Sequence, residues 1–275
     1  MIKGNALRPS ITIQAWYVRE LRVMALAMSK AMIRAVNASP KPARDIALDQ
    51  DIDPATLQAK TEELRIKFDK ILESTGRLTA IRFLEKQTKY ASASFIRSIK
   101  PMLESDQSSL MLKGSIITTE NISFAEEAIS ENVSLIKSIG EQYFGRVEKA
   151  VIESLQSGGS QPALIKTLKD IGGITDRRAK FIAKDQSKKI YSQLSTEAMT
   201  HAGITKAKWN HSGAGREPRS FHKTRWDGVS EPPNGLNGYV YDIGNPPVAD
   251  LKTGERTGPG GLINCRCFAT PVIDI

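Results

Sequence analysis

The chain has 275 residues, 40% of them hydrophobic and 25% charged, and these proportions are those of a folded protein and exclude global disorder. Its apolar runs are shorter than the roughly 18–20 residues of a membrane helix, and its N-terminus lacks the basic, apolar and small-residue regions of a signal peptide. We therefore expect a protein that is made in the cytoplasm and has no membrane partner. The net charge of +9 favours an acidic partner, of which nucleic acid is the commonest.

Residues 11–37 form the first predicted element. Apolar side chains recur at three- and four-residue steps from Tyr17 to Val36, with basic residues between them, and this predicts an amphipathic helix. Its three methionines fit either a packed core or an adaptable docking face for a partner. Residues 38–55 contain three prolines and little periodicity, which predicts a linker or a long exposed loop.

The segment from residue 54 to residue 100 has the apolar spacing of two helices, interrupted around Gly76 and arranged as a hairpin. Ser123 and Glu126 then form a capping box. The apolar positions that follow it predict one helix of about 30 residues.

Two further helices are predicted before residue 205. The first is short and is closed by the pair Gly172-Gly173, since glycine commonly ends a helix. The second begins at Thr175 as its N-cap and ends at Gly203.

Helical periodicity disappears at Lys206, and glycine, proline and tryptophan become frequent. Short strands are predicted at residues 207–211, 238–242 and 265–271, separated by turn-rich loops. The predicted fold is mainly α, an elongated helical N-terminal region followed by a small α+β or loop-rich β C-terminal domain. The predicted divisions are a variable helical region at 1–120, a second helical region at 121–205 and the small C-terminal domain at 206–275.

Positive charge is concentrated in the helical part of the chain. Residues 206–275 hold nine Lys and Arg against seven Asp and Glu, so +7 of the net charge lies in residues 1–205. A solvated polar face explains such a basic run, and so does contact with DNA phosphates that is salt-sensitive and independent of base sequence. The residues predicted to contact double-stranded DNA are Arg177, Arg178, Lys184 and Lys188.

The chain's two cysteines, Cys265 and Cys267, are separated by one residue. On a strand this spacing places both sulfurs on one face, where they can bind one metal ion. His222 and His211 would complete a tetrahedral Cys2His2 site for one structural zinc. The alternative is that both cysteines are small buried hydrophobes and that His222 bonds to a backbone carbonyl.

An enzymatic interpretation uses the same histidine. His222 with Arg219, Arg216 and Asp227 resembles a general acid or base beside a phosphate clamp, as a phosphodiester-cleaving enzyme would require. The same residue types also stabilise loops, and no nucleophile elbow, P-loop or carboxylate metal cluster accompanies them. We therefore expect a protein that is not an enzyme.

The C-terminal half carries an ordered set of residues that resembles the phage Mu F-like head morphogenesis family. The resemblance covers about residues 130–272, and the 121–205 helices form its helical part. Its motifs, in order, are Arg178–Gln186, Gly203-Ile204, Trp209, Arg216, Arg219, His222, Asp227-Gly228, Pro246-Pro247 and Asn264–Cys267. Between Trp209 and His222 a more acidic turn is usual in such proteins, so a role for His211 would be specific to this chain.

The resemblance implies a minor capsid protein of the phage head, present in few copies and made in the host cytoplasm. It implies a role in head morphogenesis and capsid assembly. The implied partners are portal and capsid proteins at the portal or in the prohead interior, and packaged DNA where the basic residues contact it. The rival interpretations are a non-specific DNA-binding protein and a phosphodiester-cleaving enzyme that uses His222 and Arg219.

Overall fold

The structure, a computed structural model, describes residues 2–39, 54–100, 116–157, 160–213 and 217–273. Most of the predicted 38–55 linker, and Arg216, lie outside these residues. Within them the chain forms long helices α1 Ile11–Ala38, α2 Pro54–Ile99, α3 Ala125–Gln156 and α4 Gln161–His201, the short helix α5 Ser220–Lys223, and strands β1 Ile2–Lys3, β2 Lys206–Asn210, β3 Val240–Asp242 and β4 Phe268–Ile273. A mainly helical fold with a small antiparallel sheet is confirmed.

The chain divides into two compact units, each built from segments that are distant in sequence. Unit 1 comprises Met1–Gln14, Arg82–Ala128 and Lys184–Ile275, and unit 2 comprises Ala15–Ile81 and Ile129–Ala183. Among the described helices, none is long and apolar enough to cross a membrane.

The apolar stripe of α1 is part of the core of unit 2. Tyr17, Met28 and Met32 are fully buried, with 0% of their surface exposed. The Tyr17 hydroxyl donates a hydrogen bond to Asn132 Oδ1 at 2.8 Å, which satisfies a polar group inside this core. The methionines are therefore packing residues, and the stripe is not a free docking face.

The predicted interruption at Gly76 is wrong, since α2 runs through it without a break. A Cβ at this position would lie 3.1 Å from Ile136 Cγ2 on α3. Glycine here permits close packing of two helices, and the packing outweighs its low helix propensity.

The predicted break at Gly172-Gly173 is wrong for the same reason. Helix α4 is continuous, and the Thr175 hydroxyl bonds to the Ile171 carbonyl one turn earlier, which is an interior helix contact rather than an N-cap. A Cβ at Gly172 would lie only 2.5 Å from Ser29 Oγ on α1. The glycine therefore sits where two helices of unit 2 approach closely.

The sheet of unit 1 has the strand order β1-β4-β2-β3, with every neighbouring pair antiparallel. Strand β2 alternates, and its buried residues Ala207 and Trp209 face the interior. The strand predictions at 207–211 and 238–242 overlap β2 and β3. The third, at 265–271, starts too early, because β4 begins at Phe268.

The N-terminal segment completes this sheet. Ile2 pairs with Ile273, and the amides of Gly4 and Leu7 donate to the carbonyls of Pro271 and Ala269. Leu7 is 2% exposed, so the segment also contributes a side chain to the core of unit 1.

We predict that Gly172→Ala and Gly173→Ala have opposite effects on stability. The first places a methyl group against Ser29 Oγ, which hydrogen-bonds to Tyr143, and should lower the free energy of unfolding by about 1–3 kcal/mol. The second meets no atom closer than 3.9 Å. It should raise the free energy of unfolding by about 0.5–1 kcal/mol, because it removes a helix-interior glycine. Urea unfolding measures both, and equal effects would contradict the close approach at Gly172.

Candidate metal centre and basic cavity

Three side chains with metal-binding atoms converge in unit 1. His222 lies on α5, and Cys265 and Cys267 lie in the segment just before β4. The candidate ligand atoms of all three lie within 4.8 Å of one another. Placement of the cysteines on a strand was wrong, but both sulfurs still face one point, because each lies close to His222 Nδ1, at 3.6 Å for Cys265 and 3.7 Å for Cys267.

A tight turn delivers the first cysteine to this point. The Cys265 amide donates to the Leu262 carbonyl at 2.9 Å, and Asn264 adopts a left-handed φ of 61°, which asparagine tolerates better than most residues. The Asn264 amide donates to Asp185 Oδ1 on α4 at 2.5 Å. Helix α4 therefore anchors the turn that carries Cys265.

The His222 ring is held in one orientation. Its Nε2 lies 2.8 Å from the Ala249 carbonyl oxygen, and its ring packs edge-on against Trp209 with centroids 5.0 Å apart. A carbonyl oxygen can only accept a hydrogen bond, so Nε2 carries the proton. The Nδ1 lone pair is then free, and it points toward the two sulfurs.

The two thiols interact strongly because both are buried and adjacent. The hydrogen bond between them lowers the pKa of Cys265 and raises that of Cys267, since it stabilises one thiolate and retains the other proton. Burial opposes ionisation of both, whereas His222 and the Cys267 amide favour the Cys265 thiolate. The pair is thus arranged to lose one proton before the other.

His211 lies outside this group. Its backbone amide donates to Asn237 Oδ1, and its Nδ1 accepts a hydrogen bond from the Gly213 amide, both at 3.1 Å. Among the described residues the converging set is His222 with the two cysteines, so the predicted fourth ligand is not brought to them.

Two other residues of the enzymatic interpretation, Arg219 and Asp227, stabilise loops. Arg219 donates to the Ile263 carbonyl at 3.3 Å. Asp227 accepts hydrogen bonds from the Ser230 hydroxyl and from the amides of Ser230 and Val229, and these bonds lower its pKa. His222 itself is only 2% exposed.

A basic cavity of about 460 Å³ lies beside the cysteines in unit 1. Four cationic side chains and several hydroxyls line it, and among the described residues no carboxylate does. Burial, and then the charge of Arg266, lower the pKa of Lys188. Cys267 also lines the cavity, so the two sites share a wall. The cations are Arg8, Lys184, Lys188 and Arg266.

The four residues predicted to contact DNA are divided between the two units. Lys184 and Lys188 line the cavity, together with Arg8 and Arg266, which the sequence pattern did not single out. Arg177 and Arg178 belong to unit 2. Arg177 is exposed, whereas Arg178 is half-buried and donates to Ser138 Oγ at 2.9 Å. Arg178 therefore has a packing role that Arg177 lacks.

Comparison with known families finds a match in the part of the chain that contains the candidate metal centre. Residues 145–270 match the family described as Phage Mu protein F like protein. This part of the chain is similar to that family. The Mu F-like region begins within α3 and ends within β4, so it contains His222, both cysteines and His211. The resemblance seen in the sequence is confirmed.

A protein of Haemophilus influenzae, described as uncharacterized, is 26% identical to this chain over 278 residues. The similarity covers 99% of this chain and 56% of the Haemophilus protein, so this chain spans about half the length of that relative. No solved structure matches the chain. The similarity to the Haemophilus protein therefore extends beyond the Mu F-like region into the N-terminal helices.

We predict that His222 is found as the Nε2–H tautomer, because the Ala249 carbonyl requires a donor at Nε2. Long-range ¹H–¹⁵N correlation spectra of the folded protein distinguish the two ring nitrogens directly. His201, partly exposed and 3.8 Å from Glu197, serves as the internal comparison. A proton on Nδ1 of His222 would contradict the proposed ring orientation.

Proposed function

We propose that this chain is a phage head morphogenesis protein, a minor capsid component that acts in head assembly at the portal or in the prohead interior. The observation that carries this proposal is the Mu F-like region at residues 145–270. It supplies all of α4 and nearly all of the loop-rich part of unit 1. The virion is then the place where the protein works.

The placement of the polar residues favours an assembly role over cleavage of phosphodiesters. Arg219 and Asp227 are engaged in loop hydrogen bonds, and both nitrogens of the buried His222 ring face protein atoms. A general base must be within reach of a substrate proton, and this ring faces the interior. The same bonds give the C-terminal loops a defined surface for protein contacts.

We predict that the protein co-purifies with portal-containing proheads of a phage that encodes it. Proheads isolated before DNA packaging should contain the chain in fewer copies than the major capsid protein, as quantitative immunoblotting with the portal protein as marker would show. Nuclease treatment before isolation is the control, since it removes association through DNA. Recovery of the chain only in the prohead-free fraction would contradict an assembly role.

The basic cavity supports a second element of the proposal, contact with DNA phosphates. Within the described part of the chain, four cations and no carboxylate line this space, and the lowered pKa of Lys188 reflects both its burial and its repulsion by Arg266. A phosphate group placed there would relieve this repulsion. Contacts of this kind carry no base specificity, so binding would be sequence-independent and salt-dependent.

We predict that Lys184→Gln with Lys188→Gln flattens the salt dependence of binding to duplex DNA. Each lost phosphate contact removes about 0.9 from the slope of log K against log salt, so the double variant should lose about 1.8. Fluorescence anisotropy at several salt concentrations measures the slope. The matched control is Lys67→Gln with Lys166→Gln, two exposed lysines of unit 2 that carry the same charge change. An equal loss in both variants would show that net charge, and not the cavity, governs binding.

A further inference from the structure

Both cysteine sulfurs lie at nearly the same distance from one ring nitrogen. The separations are 3.6 Å and 3.7 Å from His222 Nδ1. A tetrahedral zinc ion with Zn–S bonds of about 2.3 Å and a Zn–N bond of about 2.05 Å holds sulfur and nitrogen about 3.6 Å apart. The two sulfur-to-nitrogen separations therefore match those that a shared zinc ion requires.

Thiol hydrogen bonds alone do not account for this symmetry. Neutral imidazole has one lone pair on Nδ1, directed in the ring plane, and it accepts one good hydrogen bond. One S–H donor would use this lone pair, and the hydrogen bond between the two thiols would then hold the second sulfur against the first rather than against the ring. An ion at the common point uses the lone pair and both sulfurs at once.

The surroundings of the sulfurs supply donors that suit thiolates. The Trp209 indole N–H is fully buried and has no hydrogen-bond partner among the described residues, and its ring packs against the ring of His222. The Ser212 amide is in hydrogen-bonding position to Cys267, and the Cys267 amide to Cys265. Such donors stabilise metal-bound sulfur, because they compensate its negative charge in a buried site.

The ring nitrogen opposite the sulfurs is also arranged as in a metal site. Ligating histidines commonly donate their second N–H to a carbonyl or a carboxylate, which fixes the tautomer and the ring direction. His222 Nε2 makes this bond with the Ala249 carbonyl, and Ala249 is held by its own amide bond to the Glu255 carbonyl at 2.8 Å. A bond from His222 to a backbone carbonyl was the expectation of the alternative in which His222 binds no metal. Because the bond uses Nε2, it is also compatible with metal binding through Nδ1.

The C-terminal part of unit 1 needs a connection of this kind. From residue 206 onward the regular elements are a helix of four residues and strands of three to six residues. A cross-link stabilises a segment with so much irregular backbone, because ordering its loops costs conformational entropy. An ion bound to α5 and to the turn before β4 would join two segments that are more than 40 residues apart in the chain.

We propose that Cys265, Cys267 and His222 bind one zinc ion that holds the C-terminal part of unit 1 together. Thiolate and imidazole donors select zinc over calcium or magnesium, which prefer oxygen. No fourth His, Cys, Asp or Glu of the described residues joins the set, so water or an external ligand completes the tetrahedron.

The first test is the metal content of the full chain, made in zinc-supplemented medium and purified without a histidine tag. Elemental analysis should find about one zinc per chain, and His222→Asn should reduce it to below about 0.1. The chain has three histidines, so His201→Asn and His211→Asn are matched controls and should retain the zinc. Zinc lost equally from all three variants, or absent from the unmodified protein, would overturn the proposal.

A second test uses the unmodified protein, so it does not depend on whether the His222 variant folds. After removal of zinc with a chelator, cobalt(II) should bind and give the sulfur-to-cobalt charge-transfer absorption of a thiolate site, with a tetrahedral d–d spectrum. X-ray absorption of the zinc form should count two sulfur neighbours at about 2.3 Å. A site with only oxygen and nitrogen neighbours would exclude both cysteines as ligands. Both readouts are independent of prohead association.

Discussion

The position of β4 between two antiparallel partners determines the rest of unit 1. On one side it pairs with the N-terminal strand β1, and on the other it pairs with the whole of β2, from Asn210 opposite Phe268 to Lys206 opposite Val272. A one-residue slip would turn every side chain of β4 to the opposite face. This register also sets where Cys265 and Cys267, which immediately precede the strand, meet His222.

The same register connects the two candidate sites. Cys267 is one of the three candidate metal ligands. Its neighbours Arg266 and Phe268 line the basic cavity. Arg8 stacks over the Phe268 ring with its guanidinium carbon 4.7 Å from the centroid. A cation–π contact of this kind orients the guanidinium at the cavity wall. An ion at the cysteines would therefore fix the backbone on which part of this wall is built.

Periodicity in the sequence predicted the helices well and their glycines poorly. Helices α1 and α3 were predicted because their apolar residues recur with one clear phase. The breaks at Gly76 and Gly172 were wrong because the atoms that these glycines accommodate, Ile136 Cγ2 and Ser29 Oγ, belong to other helices. Local propensity contains no information about such tertiary contacts.

The candidate metal centre was largely predictable, and the basic cavity was not. Two cysteines one residue apart, in a chain with only three histidines, are an unusual combination that is visible in the sequence. His211 has the right chemistry, but Asn237 and Gly213 hold its segment elsewhere. Arg8 and Arg266 come from opposite ends of the chain, and the bonding of the N-terminal segment to β4 brings them together.

The pairing of Ile2 with Ile273 has a consequence for biosynthesis. At translation rates of about 5–20 residues per second, the N-terminal segment leaves the ribosome roughly 15–50 s before its partner strand exists. During this interval residues 2–7 have no partner strand. A nascent chain that stops before Phe268 lacks β4 and cannot form the pairing of β1 with β4. Contacts between residues so far apart in sequence also slow refolding, because a long loop must be closed first. A fragment that starts at β2 would expose one edge of β4, which is a template for pairing between molecules.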